Sequence, residues 1–301
     1  MVWIIVAAIA VTGIVIFWNS PTRKTSTLTL LAERELKRRD WQAAERLFRD
    51  GLEIAQTMRE PGRSRAQALI EIECAESQYR QGRVREAEDL LLKGLAKAGT
   101  CYPKGHGLVQ NGYLLWGDLC VDEQRYSEAE SHYRKALEGD EHTGNTAMMI
   151  FDLQRLGDAL IRQERREEAR EVIERAIALE TSVVHQQLER EGKNAGEFVI
   201  TSMSMPDLHF CREQYDDARR LYREKVEYWE NQVTRPDNIN VGHLQMRLAF
   251  SEAQTGNVTA AIEMYARAEA PFQREWGELH AKVAAARMAR EAVLSGTVKS
   301  T

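Results

Sequence analysis

The 301-residue sequence is poor in proline, cysteine and aromatic residues. It has only six prolines, four cysteines and 7% aromatic residues, whereas 29% of its residues are charged. This composition favours a helical protein over an all-β one. The net charge of −5 provides no bulk attraction to a polyanion, so we expect no nucleic-acid partner.

The sequence also lacks the motifs that mark catalytic and metal sites. The cysteines form no CxxC pair, and the seven histidines show neither HExxH nor the paired spacing of zinc ligands. No P-loop, GxSxG motif, dinucleotide-binding glycine pattern or plausible triad is present. We therefore expect no enzyme activity, metal, cofactor or small-molecule substrate. We expect free thiols, although an even cysteine count permits two disulfides in an oxidising compartment.

One long apolar run opens the chain. Residues 1–18 carry no charge, and a helix of that length spans about 27 Å, the lower limit for crossing a bilayer. Trp3 and Trp18, near its two ends, suit the headgroup boundary. We expect a transmembrane anchor over residues 1–20 and a juxtamembrane linker over residues 21–27. A cleaved secretory signal is the main alternative, and a buried core helix is a third.

The charges that flank the apolar run predict its orientation. Only the amino terminus precedes the run, whereas six cations follow it closely: Arg23, Lys24, Arg34, Lys37, Arg38 and Arg39. Because cationic flanks stay on the cytoplasmic side, we expect a single-pass protein whose remaining residues lie in the cytoplasm. The alternative places them outside the cytoplasm, in envelope or secretory-path assembly, either released by cleavage or anchored in the reverse orientation.

The rest of the chain repeats one pattern six times. A large residue is followed by alanine three residues later, by a second large residue four residues after that, and usually by a small residue three further on. The alanines, here called stripe alanines, are spaced by 43, 42, 40, 49 and 43 residues. They are Ala44, Ala87, Ala129, Ala169, Ala218 and Ala261. Such offsets place these side chains on one face of a helix, where the small residues let a neighbouring helix approach closely.

A partner helix precedes each of these stripes, and two of the partner helices contain a glycine between large residues. Gly117 follows Trp116, and Gly157 follows Leu156. Glycine lowers helix stability, so its presence there indicates close backbone contact.

These residues resemble the tetratricopeptide repeat (TPR) family, in its longer variety of about 42 residues similar to kinesin light chain repeats. The resemblance covers roughly residues 28–270. It implies an all-α, right-handed superhelical solenoid of about six antiparallel helix pairs over 28–277, preceded by the transmembrane helix. A capping helix is expected over 278–295 and a disordered tail over 296–301.

The fifth repeat departs from the family pattern. Pro206 stands where glycine or alanine is expected, Lys225 replaces the late small residue, and the longer spacing implies an insertion near 186–198. The groove positions of this repeat are therefore not assigned.

The resemblance implies a concave inner face, lined by the first helix of each pair, that binds a protein partner. In three consecutive repeats the implied groove residues are Leu69, Ile72, Glu76, Tyr79 and Arg80, then Leu114, Asp118, Val121 and Asp122, then Phe151, Gln154, Asp158, Ile161 and Arg162. Three acids, Glu76, Asp118 and Asp158, occupy equivalent positions beside apolar residues.

Two interpretations of these acids remain open. They line a groove for a partner segment with basic and apolar residues, or they are solvated or paired with Arg80 and Arg162. The functional prediction is a membrane-anchored adaptor that recruits or assembles a protein partner.

The stripe pattern makes a direct prediction about packing. Replacing Ala129 with leucine should overpack the helix crossing and lower the free energy of unfolding by about 1–3 kcal/mol. A thermal denaturation curve measures this effect, and an unchanged melting temperature would contradict the placement of the alanine.

Overall fold

The structure, a computed structural model, describes residues 20–191, 205–232, 239–278 and 280–296. Within these ranges it contains thirteen α-helices and no strand. In chain order they are α1 (Pro21–Lys37), α2 (Trp41–Gln56), α3 (Gly62–Arg80), α4 (Val84–Cys101), α5 (Gly107–Asp122), α6 (Tyr126–Thr143), α7 (Thr146–Arg162), α8 (Arg166–Glu191), α9 (Met205–Cys211), α10 (Tyr215–Gln232), α11 (Ile239–Gln254), α12 (Val258–Trp276) and α13 (Ala281–Leu294).

The prediction of an all-α helical repeat is confirmed. The stripe alanines lie on the even-numbered helices from α2 to α12, each preceded by its partner helix, and each alanine is fully buried. The expected capping segment forms α13. Of the predicted anchor over residues 1–20, residues 1–19 lie outside the described residues, and none of the helices in the described ranges is both long and apolar enough to span a bilayer.

The expected linker over residues 21–27 is instead the start of α1. Ser20 caps this helix by accepting a hydrogen bond from the backbone N–H of Arg23 at 3.4 Å, and Pro21 occupies its first position. Proline suits that position because its fixed φ is helical and the first N–H needs no partner. Ser-Pro therefore begins a helix here. Of the expected tail, residues 297–301 lie outside the described residues.

The chain divides into two compact units, Met1–Gly112 and Tyr113–Thr301, and the division falls within α5. The core of the first unit contains Phe48 and Ile70, both completely buried. The largest core of the second unit is built around Tyr133 and Ile173, the large residues that follow two of the stripe alanines.

Two glycines of the second unit let large side chains of the paired helix pack against the first-helix backbone, rather than bringing two backbones together as expected from the sequence. A Cβ atom at Gly117 of α5 would overlap the ring of Tyr133 on α6. A Cβ atom at Gly157 of α7 would lie 2.9 Å from Cγ1 of Ile173 on α8. In both pairs, the large stripe residue occupies the space that a larger side chain on the first helix would need.

Six three-residue turns connect the paired helices, and their middle residues share one backbone conformation. These residues have φ between 59° and 80°: Arg39, Gly82, Gln124, Glu164, Glu213 and Gly256. In every turn, the N–H of the third residue donates to the carbonyl five residues earlier, as Arg125 does to Cys120 at 2.8 Å. This Schellman arrangement satisfies carbonyl groups at the end of the first helix and reverses the chain.

The turn at Gly82 provides a conformational prediction. Nothing lies within 4 Å of a Cβ atom built at Gly82, so replacing it with alanine adds only the strain of a positive φ, about 1 kcal/mol of destabilisation. Gly99, inside α4, also has open space and a helical φ. Its replacement with alanine should stabilise by about 0.5–1 kcal/mol. Urea denaturation of both variants should give opposite signs, and equal signs would contradict the assigned turn.

The fifth pair departs from the others, as its sequence does. Its first helix, α9, has only seven residues, and Lys225 on α10 is 1% exposed. Burial lowers the pKa of Lys225 to about 8, while the nearby carboxylates of Glu180 and Asp207 act in the opposite direction. These acids compensate a cation that stands where the other repeats place a small residue. The expected insertion falls partly on residues 192–204, outside the described residues.

Two carboxyl groups are buried together between α6 and α7. Asp140 is 2% exposed and Asp152 is fully buried, and neither carboxyl oxygen of Asp152 has a hydrogen-bond partner. The pKa of Asp152 is raised from its ordinary 3.8 to about 8, mainly by burial and then by the negative charge of the neighbouring Asp140. Glu141 raises this pKa further, whereas the positive charge of Arg155 lowers it. The folded protein therefore holds an extra proton at neutral pH.

This proton makes stability depend on pH. The pKa of Asp152 is higher in the folded protein than in the unfolded chain. The contribution of Asp152 to the free energy of unfolding is therefore fully present below pH 4 and is lost as the pH rises to 8. Asp152→Asn, which cannot ionise, should be stabilised relative to the wild type at pH 8 more than at pH 5. Denaturation curves at the two pH values measure this, and an equal difference at both would contradict the raised pKa of Asp152.

Candidate partner-binding face

Five of the six first helices carry an acid at the same sequence distance before the stripe alanine. Eleven residues before the alanine, here called position −11, the first five repeats have an acid and the sixth has Phe250. The acids are Glu33, Glu76, Asp118, Asp158 and Asp207. Sequence analysis identified only the middle three. Asp207 was missed because the fifth repeat was left unassigned, although its fixed distance to Ala218 could have located it.

Tyrosines from the second helices hold two of these acids. The hydroxyl of Tyr133 donates to Oδ1 of Asp118 at 2.8 Å, and the hydroxyl of Tyr222 donates to Asp207. Both tyrosines are 2% exposed. A buried hydroxyl requires a hydrogen-bond partner. In these two repeats the acid at position −11 is that partner, so a tyrosine in the stripe depends on the acid.

Two arginines tie successive repeats to one another. Arg155 and Arg247 lie fourteen residues before their stripe alanines, at position −14. Nε of Arg155 donates to Asp118 of the preceding repeat at 3.0 Å. Arg247 pairs with Asp207 of the preceding repeat and also, at 3.0 Å, with Asp158. A cation at position −14 therefore binds the acid at position −11 of the repeat before it.

The arginines keep these acids ionised despite their surroundings. Burial would raise the pKa of Asp118, but the charges of Arg155 and Lys282 hold it below its ordinary value. Burial likewise opposes ionisation of Asp158, and Arg162 and Arg247 outweigh it, so its pKa is also lowered. Stability from both acids is present above their unfolded pKa and is lost in acid.

The capping helix contributes to the same face of the second unit. Nζ of Lys282 on α13 lies 3.2 Å from Oδ1 of Asp122 on α5. The face thus combines four acids with four cations: Asp118, Asp122, Asp158 and Asp207 with Arg155, Arg162, Arg247 and Lys282. Within the second unit the acids are neutralised by the chain itself.

The local pairs expected in the alternative interpretation are present. Arg162 donates to Asp158 at 2.9 Å in the second unit, and Arg80 donates to Glu76 at 3.1 Å in the first. Because both acids have partners within their own helices, the charge that they offer to another protein is reduced.

The remaining predicted groove residues divide by exposure. Ile72, Tyr79 and Leu114 are buried and belong to the packed interior. Five are partly buried: Leu69, Val121, Asp122, Gln154 and Ile161. Phe151 is 51% exposed, and Phe250 of α11 is 39% exposed. Among the described residues of the second unit, these two phenylalanines are the only large apolar side chains on first helices that are exposed.

Comparison with known proteins identifies the repeat type. Residues 153–182, the fourth helix pair, match the family model of the tetratricopeptide repeat. The helix pairs are tetratricopeptide-like repeats. No curated protein sequence matches this chain significantly.

Solved structures agree on the fold. A putative kinesin light chain from Podosopora anserina is 18% identical, with a TM-score of 0.53 over 72% of this chain and 100% of that one. The apo form of RapI is 12% identical, with a TM-score of 0.60 over 90% and 99%. NprR in complex with its cognate peptide NprX is 15% identical, with a TM-score of 0.59 over 92% and 78%. At these identities the likeness establishes the fold alone.

The bridging role of Arg247 can be measured. Arg247→Met should cost about 1–3 kcal/mol, because it leaves Asp158 and Asp207 without their shared cation and the arginine is only about one-third exposed. The control is Arg220→Met, which removes a 60% exposed arginine that pairs with Glu224 on the same helix. That variant should change stability by less than about 0.5 kcal/mol. Equal losses in urea denaturation would contradict the bridge.

Proposed function

We propose that this protein is a membrane-anchored adaptor that holds a protein partner against the first helices of its repeats and catalyses no reaction. The observation that carries the proposal is the contrast on the second unit's first-helix face. The aspartates of this face form ion pairs with arginines and a lysine of the chain itself, whereas Phe151 and Phe250 remain exposed. Exposed aromatic side chains among paired ions supply the apolar anchor points that an interface buries.

The related fold of NprR supports a peptide segment as the bound part of the partner. NprR was solved in complex with its cognate peptide NprX, and its structure aligns with 92% of this chain. The transfer of peptide binding from that protein is an analogy at the level of the fold. The phenylalanines favour a segment with apolar residues, and Glu33, the acid at position −11 that has no side-chain partner among the described residues, favours a basic residue as well.

The apolar residues 1–18 supply the proposed attachment to a membrane. The six cations that follow them place the repeats in the cytoplasm in this proposal. A reporter enzyme that is active only in the cytoplasm, fused to the carboxyl end, should be active. Activity of a reporter that works only outside the cytoplasm would overturn the orientation.

Photo-crosslinking in cells tests the binding face. A photoreactive phenylalanine analogue is introduced into the full chain in place of Phe151 or Phe250, and in a control in place of Val258. Val258 begins the second helix α12 and is 47% exposed, so exposure is matched. A discrete cross-linked protein at Phe151 and Phe250, absent at Val258, is expected. The same products at all three positions, or none at the phenylalanines, would overturn the proposal.

A further inference from the structure

The contact between neighbouring repeats has a different chemistry in the first unit. Position −14 of the second repeat is Glu73, and position −11 of the first repeat is Glu33. The equivalent positions in the second unit are Arg155 with Asp118. The first unit therefore sets two carboxylates against each other where the second unit sets a guanidinium against a carboxylate.

The two glutamates repel each other across this contact. Glu73 is partly buried on α3, and burial, then Glu76, then Glu33 raise its pKa to about 7. Arg80 is already engaged by Glu76 at 3.1 Å. Among the described residues, neither the side chain of Glu33 nor that of Glu73 forms a hydrogen bond or an ion pair. An unpaired, partly desolvated carboxylate gains most from an added cation.

An exposed apolar side chain lies one helical turn from Glu33. Leu30 of α1 is 68% exposed and stands at position −14 of the first repeat. It precedes Glu33 by three residues, so both side chains lie on the same face of the helix. The first unit thus presents an apolar surface directly beside its unpaired acids.

The second unit shows which group these two positions accept. Its arginines at position −14 bind acids at position −11 twice, once through Arg155 and once through Arg247. These two arginine–aspartate pairs are an observation separate from the acidic charge of the first unit. They show that the same repeat positions bind a guanidinium elsewhere in the chain. The planar guanidinium can bridge two carboxylates, whereas a lysine ammonium is a compact point charge.

We propose that an arginine of the partner segment binds between Glu33 and Glu73, with an adjacent apolar residue against Leu30. The arginine takes the role that Arg155 and Arg247 have in the second unit. This inference rests on the proposed adaptor function and names the chemistry that the first unit selects.

Peptide binding to the full chain in detergent micelles tests the preference. The probe is a fluorescent ten-residue peptide with one arginine next to leucine, and matched peptides carry lysine or uncharged citrulline instead. By fluorescence anisotropy, the arginine peptide should bind at least about tenfold more tightly than the citrulline peptide, which corresponds to roughly 1.4 kcal/mol. Equal affinities would overturn the inference.

A substitution that supplies the missing cation gives a sharper test. Glu73→Arg should pair with Glu33, raise the melting temperature and weaken binding of the arginine peptide at least about tenfold. Glu53→Arg is the matched control, because Glu53 lies exposed on α2 and the charge change is the same. Unchanged binding by Glu73→Arg, or an equal loss in the control, would overturn the inference. If Glu73→Arg fails to fold, Glu33→Gln combined with Glu73→Gln replaces it.

The outcomes separate this inference from the adaptor function. Cross-linking at Phe151 together with no preference for arginine would overturn the inference and leave the adaptor function standing. Loss of that cross-linking overturns the adaptor function itself. Self-association that light scattering detects in the wild type, and that Glu73→Arg abolishes, would assign the site to a second copy of the chain and overturn the partner segment.

Discussion

Close approach of paired helices is the constraint on which the rest of this structure depends. Every stripe alanine is fully buried, and Gly117 lies against the ring of Tyr133. Such contacts leave little freedom in the distance between the two helices of a pair. Packed interiors tolerate little change in volume, so this spacing repeats wherever the small residues repeat. The three-residue turns fix the connection between helices, because their middle residues adopt a positive φ and their end residues close Schellman hydrogen bonds.

The pattern of charge follows from this spacing. Where the first helices of neighbouring repeats in the same unit are held in register, position −14 of one repeat lies close to position −11 of the repeat before it. Arg155 and Arg247 use that contact to join repeats, whereas Glu73 leaves the same contact repulsive. Two copies of this contact are neutralised by an arginine, whereas the copy in the first unit concentrates unpaired acidic charge at one place. That place is where we expect a cation from another molecule.

Much of the fold could be predicted from the sequence, because helical periodicity and small residues are local signals. The six repeats, the glycine at position 117 and the capping helix needed no long-range information. The start of α1 was misplaced because Ser20 and Pro21 can end one helix or begin the next. The site was predicted less well. Glu76, Asp118 and Asp158 were recognised, together with the same-helix partners Arg80 and Arg162. Arg155 and Arg247 were missed because they reach Asp118 and Asp158 from other repeats, and such pairing depends on a register that the sequence does not state.

The most direct test of the account is a double-mutant cycle between Gly117 and Tyr133. Gly117→Ala should destabilise the wild type strongly, because the new Cβ atom overlaps the tyrosine ring. In a Tyr133→Leu background, where the ring is absent, the same substitution should cost much less, with a coupling of at least about 1 kcal/mol in urea denaturation. If the two substitutions are additive, the helices do not meet at this glycine, and the register from which the binding face is derived is wrong.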